Sequence, residues 1–150
     1  MTAPAAPARH RKETMEIIAR PSCAKGPAAT FTGEVWIDGI YDGGLGRARL
    51  AVVHFAPCAR SFWHSHRLGQ TLHILEGVAL LGSRDGTVIE AHPGDTIHTA
   101  PDEEHWHGAA PDRLMAHLTL MDGDGSDAPQ TVWGEAVTDA HYQAPRTTTR

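Results

Sequence analysis

The chain has 150 residues, 41% of them hydrophobic, with 15 glycines, 10 prolines and a formal net charge of -5, which suits one domain with a core of its own. The acidic balance and the absence of a basic stripe argue against a nucleic-acid footprint, and no apolar run reaches the length of a membrane helix. Cys23 and Cys58, without any CxxC pair, exclude a disulfide framework and a thiolate zinc site, so the expectation is a reduced, cytoplasmic protein that handles a small molecule.

Residues 1–14, "MTAPAAPARHRKET", are Ala/Pro-rich and then basic, without the apolar centre of a secretory signal. They cannot bury enough apolar surface to offset their ordering entropy and read as a disordered tail. The chain first turns apolar at Met15, which could be an alternative start. Residues 15–46 read as an N-terminal arm with short strands: one alternating strand around Val35 to Ile37, then a Gly-rich turn at 43–46. "RARLAVVHFAP" is a strand with Ala51, Val53 and Phe55 on one face and Leu50, Val52 and His54 on the other, ended by Pro57.

"TLHILEG", "VALLGSRDGTVIEAHPGD", "TIHTAPDEEHWHG" and "RLMAHLTLM" follow, each a short β-prone run closed by a turn. "RDG" marks a hairpin and "HPGD" a second tight turn. The reading is all-β, a meander of strands with no room for crossover helices. After an exposed "DGDGSD" loop, "TVWGEAVTDAHY" returns to the body, with Thr138 as the N-cap of a brief helical turn. Residues 47–142 read as the body of an all-β sandwich or barrel with its closing segment, and 143–150 as a second disordered tail.

The chemistry lies in the histidines. In a strand, residues i and i+2 share a face, so His64 and His66 project together while Ser65 points away. Gln70 follows beyond the bend "RLG", and "HWH" supplies a third imidazole, with His105 and His107 on one face and Trp106 on the other. Three imidazoles and an amide oxygen make an N3O set with open positions, suited to one divalent manganese, iron, nickel, cobalt or zinc ion per chain. Because Gln70 adds no charge, the metal would keep its full +2, which favours Lewis-acid chemistry on a hydroxyl or carbonyl oxygen. His54, His73, His92 and His98 read as outer-face or turn residues. Trp63 and Trp106 read as packing residues, Cys58 as a small buried thiol near a turn, and His117 as either a barrel-wall histidine or a catalytic one. "DGDGSD" lacks the bidentate glutamate of a calcium loop.

"HSHRLGQTLHILEG" resembles the first cupin motif, in which HxH is followed by three residues, a carboxylate and six more residues to a glycine, with Gln70 in the carboxylate position and Gly77 at the end. "GDTIHTAPDEEHWHG" resembles the second, whose histidine falls eleven residues after its glycine, Gly94 to His105. Cys58 and Asp102 stand where these motifs have glycine. The strings "WHSHRLGQTL", "HPGD", "EEHWHGAAP" and "VTDAHY" resemble in particular the small single-domain bacterial cupins that include manganese-dependent hydroxynitrile lyases. The resemblance implies a double-stranded β-helix, or jelly-roll, barrel, with His64, His66, Gln70 and His105 holding the metal. It also implies His107 and His117 as acid/base candidates, a substrate pocket shaped by Ala51, Val53 and Met121, and a homodimer or homotetramer. In those lyases the metal holds the cyanohydrin oxygen and a histidine removes its proton. A cupin dioxygenase and a non-catalytic small-molecule-binding cupin are the alternatives.

Overall fold

The computed structural model describes residues 15–20, 22–43, 48–124, 126 and 128–148; the tail expected over 1–14 lies outside them. The strands are β1 (Ala24–Lys25), β2 (Phe31–Thr32), β3 (Val35–Asp42), β4 (Arg49–Phe55), β5 (Arg60–Ser61), β6 (His64–His66), β7 (Gln70–Gly77), β8 (Ala79–Ser83), β9 (Val88–Ala91), β10 (Thr96–Thr99), β11 (His105–Ala109), β12 (Met115–Met121) and β13 (Thr131–Trp133). A single-turn helix, α1 (Asp139–Tyr142), and β14 (Arg146–Thr147) complete the chain.

The first sheet runs β1-β3-β4-β12-β7-β10, and the second β13-β6-β11-β8-β9-β14, with β5 on β11 and β2 on β5. The simple meander is corrected here. Among the described residues, the consecutive strands that pair are β3/β4 and β8/β9; elsewhere the chain steps between sheets, so that each strand's apolar face is covered by the opposite layer. This is the jelly-roll arrangement. The arm is likewise more than a lead-in: β3 runs on to Asp42 and pairs along β4, with an irregularity between Gly39 and Tyr41.

Between the sheets lie Val35, Val53, Phe55, Leu72, Ile74, Leu81 and Met115. Leu80 points the other way, into a second cluster with Trp63, Val88, Trp106, Val137 and Tyr142 on the outer face of the second sheet. The α1 turn seals that face. Thr138 caps it, its Oγ1 accepting from the His141 N–H at 3.2 Å, and the Tyr142 hydroxyl donates to the Ala109 carbonyl at 2.6 Å. Buried Arg60 lies over the Tyr142 ring and donates to Asp139 at 2.7 Å. The tail expected over 143–150 is corrected for its described part, since β14 pairs in parallel with β9 and Arg146 reaches Glu90 at 3.1 Å; residues 149–150 lie outside the described residues.

Two glycines are dictated by close approach. A Cβ at Gly82 would stand 2.1 Å from Trp106 Nε1, and one at Gly77, where φ is +76°, would stand 1.7 Å from the Leu114 carbonyl oxygen. Conversely, Cys58 (φ 68°) and Asp102 (φ 62°) are the non-glycine residues in the left-handed region among those described. These are the two positions at which the sequence departs from the motif glycines, so the turns keep their geometry without the residue that adopts it most easily. Cys58 is exposed rather than buried, because the turn carries it outward.

Candidate metal and proton-transfer site

β6 places His64 and His66 on the inner face of the second sheet, and β11 sets His105 directly opposite His64 across the strand pair. Gln70 opens β7 in the facing sheet after the turn at Gly69. All four side chains are at least 96% shielded, and one ring nitrogen from each of His64, His66 and His105 lies within 4.8 Å of the others.

The hydrogen bonds around the rings set their tautomers. His64 Nδ1 donates to the Phe62 carbonyl and His105 Nδ1 to the Glu103 carbonyl, each at 2.9 Å. A carbonyl only accepts, so both neutral rings carry their lone pair on Nε2. His66 Nδ1 meets Thr131 Oγ1 at 3.1 Å, and its Nε2 is buried with no partner. Gln70 Oε1 stands 3.1 Å from His105 Nε2, and Gln70 Nε2 donates to Thr119 Oγ1 at 2.9 Å. Burial, reinforced by the neighbouring rings, holds His64 well below the ordinary imidazole range and His66 at about 4; burial also lowers His105. Neutral, preoriented imidazoles with an orphaned nitrogen are what a divalent cation requires, so the residues present fit a metal ion.

His107 shares the inner face with His105, and β12 brings His117 from the opposite sheet until its Nε2 lies 3.2 Å from His107 Nδ1. The β7–β12 register shifts between Ala116 and His117, as a β-bulge would make it. Phe55 packs on both rings, and the His107 ring centroid is 5.1 Å from that of His64. Burial, with repulsion from the surrounding imidazoles, drives His107 well down, and burial takes His117 to about 3. Both are therefore neutral at pH 7, and each can accept a proton.

Ala51 and Met121 line a cavity of about 400 Å³ with Ile18, Ala19 and Tyr41 at the end of the first sheet. Val53 is placed otherwise than expected: it faces inward but is buried in the core opposite His117 and does not line this cavity. Reading the residues alone missed Thr119, Thr131 and Phe55 beside the histidines, and the arm residues Ile18 and Ala19 at the cavity. Thr119 had a signal, two residues after His117 in alternating "MAHLTLM"; Thr131 had none. His54, His73 and His98 face outward, where they pair with Asp38, Thr96 and Thr71 respectively. Trp63 and Trp106 are packing residues of the outer cluster. In the "DGDGSD" loop the Asp124 carboxylate is already engaged by Ser126, Gln130 and Arg67.

Residues 51–121 match the cupin domain family model. Over 125 residues the chain is 44% identical to an (R)-mandelonitrile lyase of Granulicella tundricola, covering 79% of this chain and 90% of that protein. The crystal structure of a cupin-like protein from Thermotoga maritima superposes with a TM-score of 0.73 at 32% identity, covering 86% of this chain and 96% of that one. The polyketide cyclase RemF of Streptomyces resistomycificus, at 18% identity, shares the fold with a TM-score of 0.65 over 87% and 92% of the two chains. With the jelly-roll barrel, the inward histidines of both motifs and these likenesses together, the chain belongs to the cupin family.

Proposed function

We propose that this cupin is a metal-dependent lyase that cleaves or forms cyanohydrins, interconverting them with HCN and an aldehyde or ketone. The supporting observation is the buried His107–His117 pair of neutral imidazoles beside the three-histidine cluster, in a chain similar over most of its length to a mandelonitrile lyase. In this reading His64, His66, His105 and Gln70 hold one divalent ion, manganese first among the candidates. When bound, that ion supplies Lewis acidity toward the substrate oxygen. Gln70 leaves its charge undiminished and, being neutral, cannot serve as a base.

Proton transfer falls to His107 and His117. One of the two takes the cyanohydrin hydroxyl proton as the carbon–carbon bond breaks; the bonding electrons leave with cyanide, and the carbonyl forms on the carbon left behind. The imidazolium then returns its proton to cyanide, releasing HCN and restoring the neutral ring. Both rings are unprotonated before substrate arrives, so a lone pair is available to the proton; the same burial makes them weak bases, which is why this reading calls for the Lewis acidity that a bound ion would supply. In this reading Ala51 and Met121 line the apolar space for the carbonyl fragment, and Val53 lies in the core opposite His117. Fully exposed Met15 and Ile17 in the arm accord with a homodimer or homotetramer that covers them.

The test is metal analysis of the purified protein, then incubation of the manganese-loaded form with mandelonitrile under nitrogen and under air. Benzaldehyde release at the same rate in both is the expected result. Oxygen uptake with a catechol or flavonol would make the protein a dioxygenase, and silence in every arm would make it a binding module.

A further inference from the structure

We infer that Thr119 is a positioning residue for the metal site, the group that allows a neutral glutamine to stand where this family's motif has a carboxylate; the inference rests on the metal-binding reading above. A carboxylate presents a lone-pair oxygen at either end. Gln70 presents oxygen at one end and two N–H donors at the other, and only the oxygen can bind a cation. With the oxygen committed inward, the amide nitrogen must find an acceptor inside a site where Gln70 and Thr119 are 4% and 3% exposed. Thr119 Oγ1, 2.9 Å from Gln70 Nε2, is that acceptor.

Thr119 reaches it because β12 alternates: His117, Thr119 and Met121 face inward, and the register sets Thr119 between Ala51 on β4 and Leu72 on β7. The opposite end of the amide shows what is at stake. His105 Nε2 carries a lone pair, because Nδ1 of the same ring donates to the Glu103 carbonyl, and Gln70 Oε1 aims a second lone pair at it from 3.1 Å. Two acceptors at that distance repel each other until a cation joins them. Turned around, the amide would donate to His105 and offer a cation nothing. Without an acceptor at residue 119, the ligating orientation leaves a buried N–H unpaired while the reversed one keeps it bonded. The hydroxyl therefore lets the amide face the metal without burying an unpaired N–H.

The experiment measures Mn²⁺ and Co²⁺ affinity by titration calorimetry, and the visible spectrum of the Co²⁺ form, for the full chain and three variants. Thr119→Val keeps the shape and removes the acceptor; it should weaken binding about 10- to 100-fold, the range for loss of a ligand's outer partner, and alter the Co²⁺ spectrum. Thr119→Ser, which restores the hydroxyl and gives up the methyl group, should bind within about threefold of the parent chain. In a Gln70→Glu background, where no N–H has to be placed, Thr119→Val should lose most of its effect. Unchanged affinity and spectrum in Thr119→Val, equal losses in the Ser and Val variants, or an undiminished effect in the Gln70→Glu background would each overturn the inference. Failure of the parent reading looks different: the unaltered chain would take up neither ion, or would bind both as well after His105→Ala.

Discussion

β6 and β11 with the residues beside them present two unlike faces. Inward, His64, His66, His105 and His107 gather, each with its Nδ1 in a hydrogen bond; outward, Trp63 and Trp106 are sealed under Val137 and Tyr142 by α1. Each face also leaves a nitrogen unpaired, but the two kinds differ: His66 Nε2 can offer a lone pair once its ring tautomer is set, whereas Trp63 Nε1 can only donate. The first is a capacity to bind a cation and the second is a local defect, partly offset by the Arg84 guanidinium 3.9 Å above the indole. The lesson is a division of labour along one strand: alternate residues supply stability on one side, and on the other a polar cluster that stability has to support.

The sharpest way to break this comparison is to substitute neighbours on β11. His107→Ala should retain metal and lose about 10²- to 10⁴-fold in turnover, the range for a lost acid/base group, whereas His105→Ala should lose the metal itself, read by metal analysis. Equal metal loss in both would remove the distinction between ligand and base. Trp106→Ala, one residue from each, should cost about 3–5 kcal/mol in denaturant unfolding of the metal-free protein, with the metal affinity of the folded fraction little changed. A metal affinity that falls in step with stability would mean that the two faces are not separable.

As pH falls, acid should act first on the inner face. Burial holds His66 at about 4 and His117 at about 3, below the value near 6.5 of an unfolded histidine. Between those values the unfolded chain binds more protons than the folded one, so the stabilisation present above pH 6.5 drains away as pH falls toward the folded values. Metal-free protein should lose up to about 1.4 kcal/mol per pH unit for each such group between about pH 6.5 and about pH 4. Urea midpoints that stay flat across that window would show these imidazoles to be more hydrated than their burial implies. The smallest effect concerns the turns that deliver both faces. Cys58→Gly should stabilise by about 0.5–1 kcal/mol by relieving positive φ, and Asp102→Gly by close to nothing, since aspartate tolerates that region and glycine loosens the unfolded chain. Thermal melts that rank the two the other way would point to the exposed thiol rather than the backbone.

Much of this was legible because it depends on short-range periodicity. The i, i+2 rule put His64 beside His66 and His105 beside His107, Gly94 and His105 kept the motif interval, and Thr138 announced the cap of α1. The expected burial of Cys58 fails because burial of a small thiol depends on where its turn points, and that turn is held by hydrogen bonds to the Ala110 and Pro111 carbonyls, more than 50 positions on, rather than by neighbours in sequence. The resemblance puts Val53 in the pocket with Ala51, and alternation gives it the same face, but neither says how far along the barrel the core ends and the cavity begins.

The amino-acid sequence by itself determined the β class, the turns, the grouping of imidazoles within each motif and the neutrality of Gln70, since all of these follow from residue chemistry over a few positions. Only the tertiary structure decided that His117 meets His107, that Thr119 takes the Gln70 amide and Thr131 faces His66, and that β14 closes on β9. Those contacts join residues 10, 49, 65 and nearly 60 positions apart, and their register is set by how two sheets pack face to face, which no local pattern encodes.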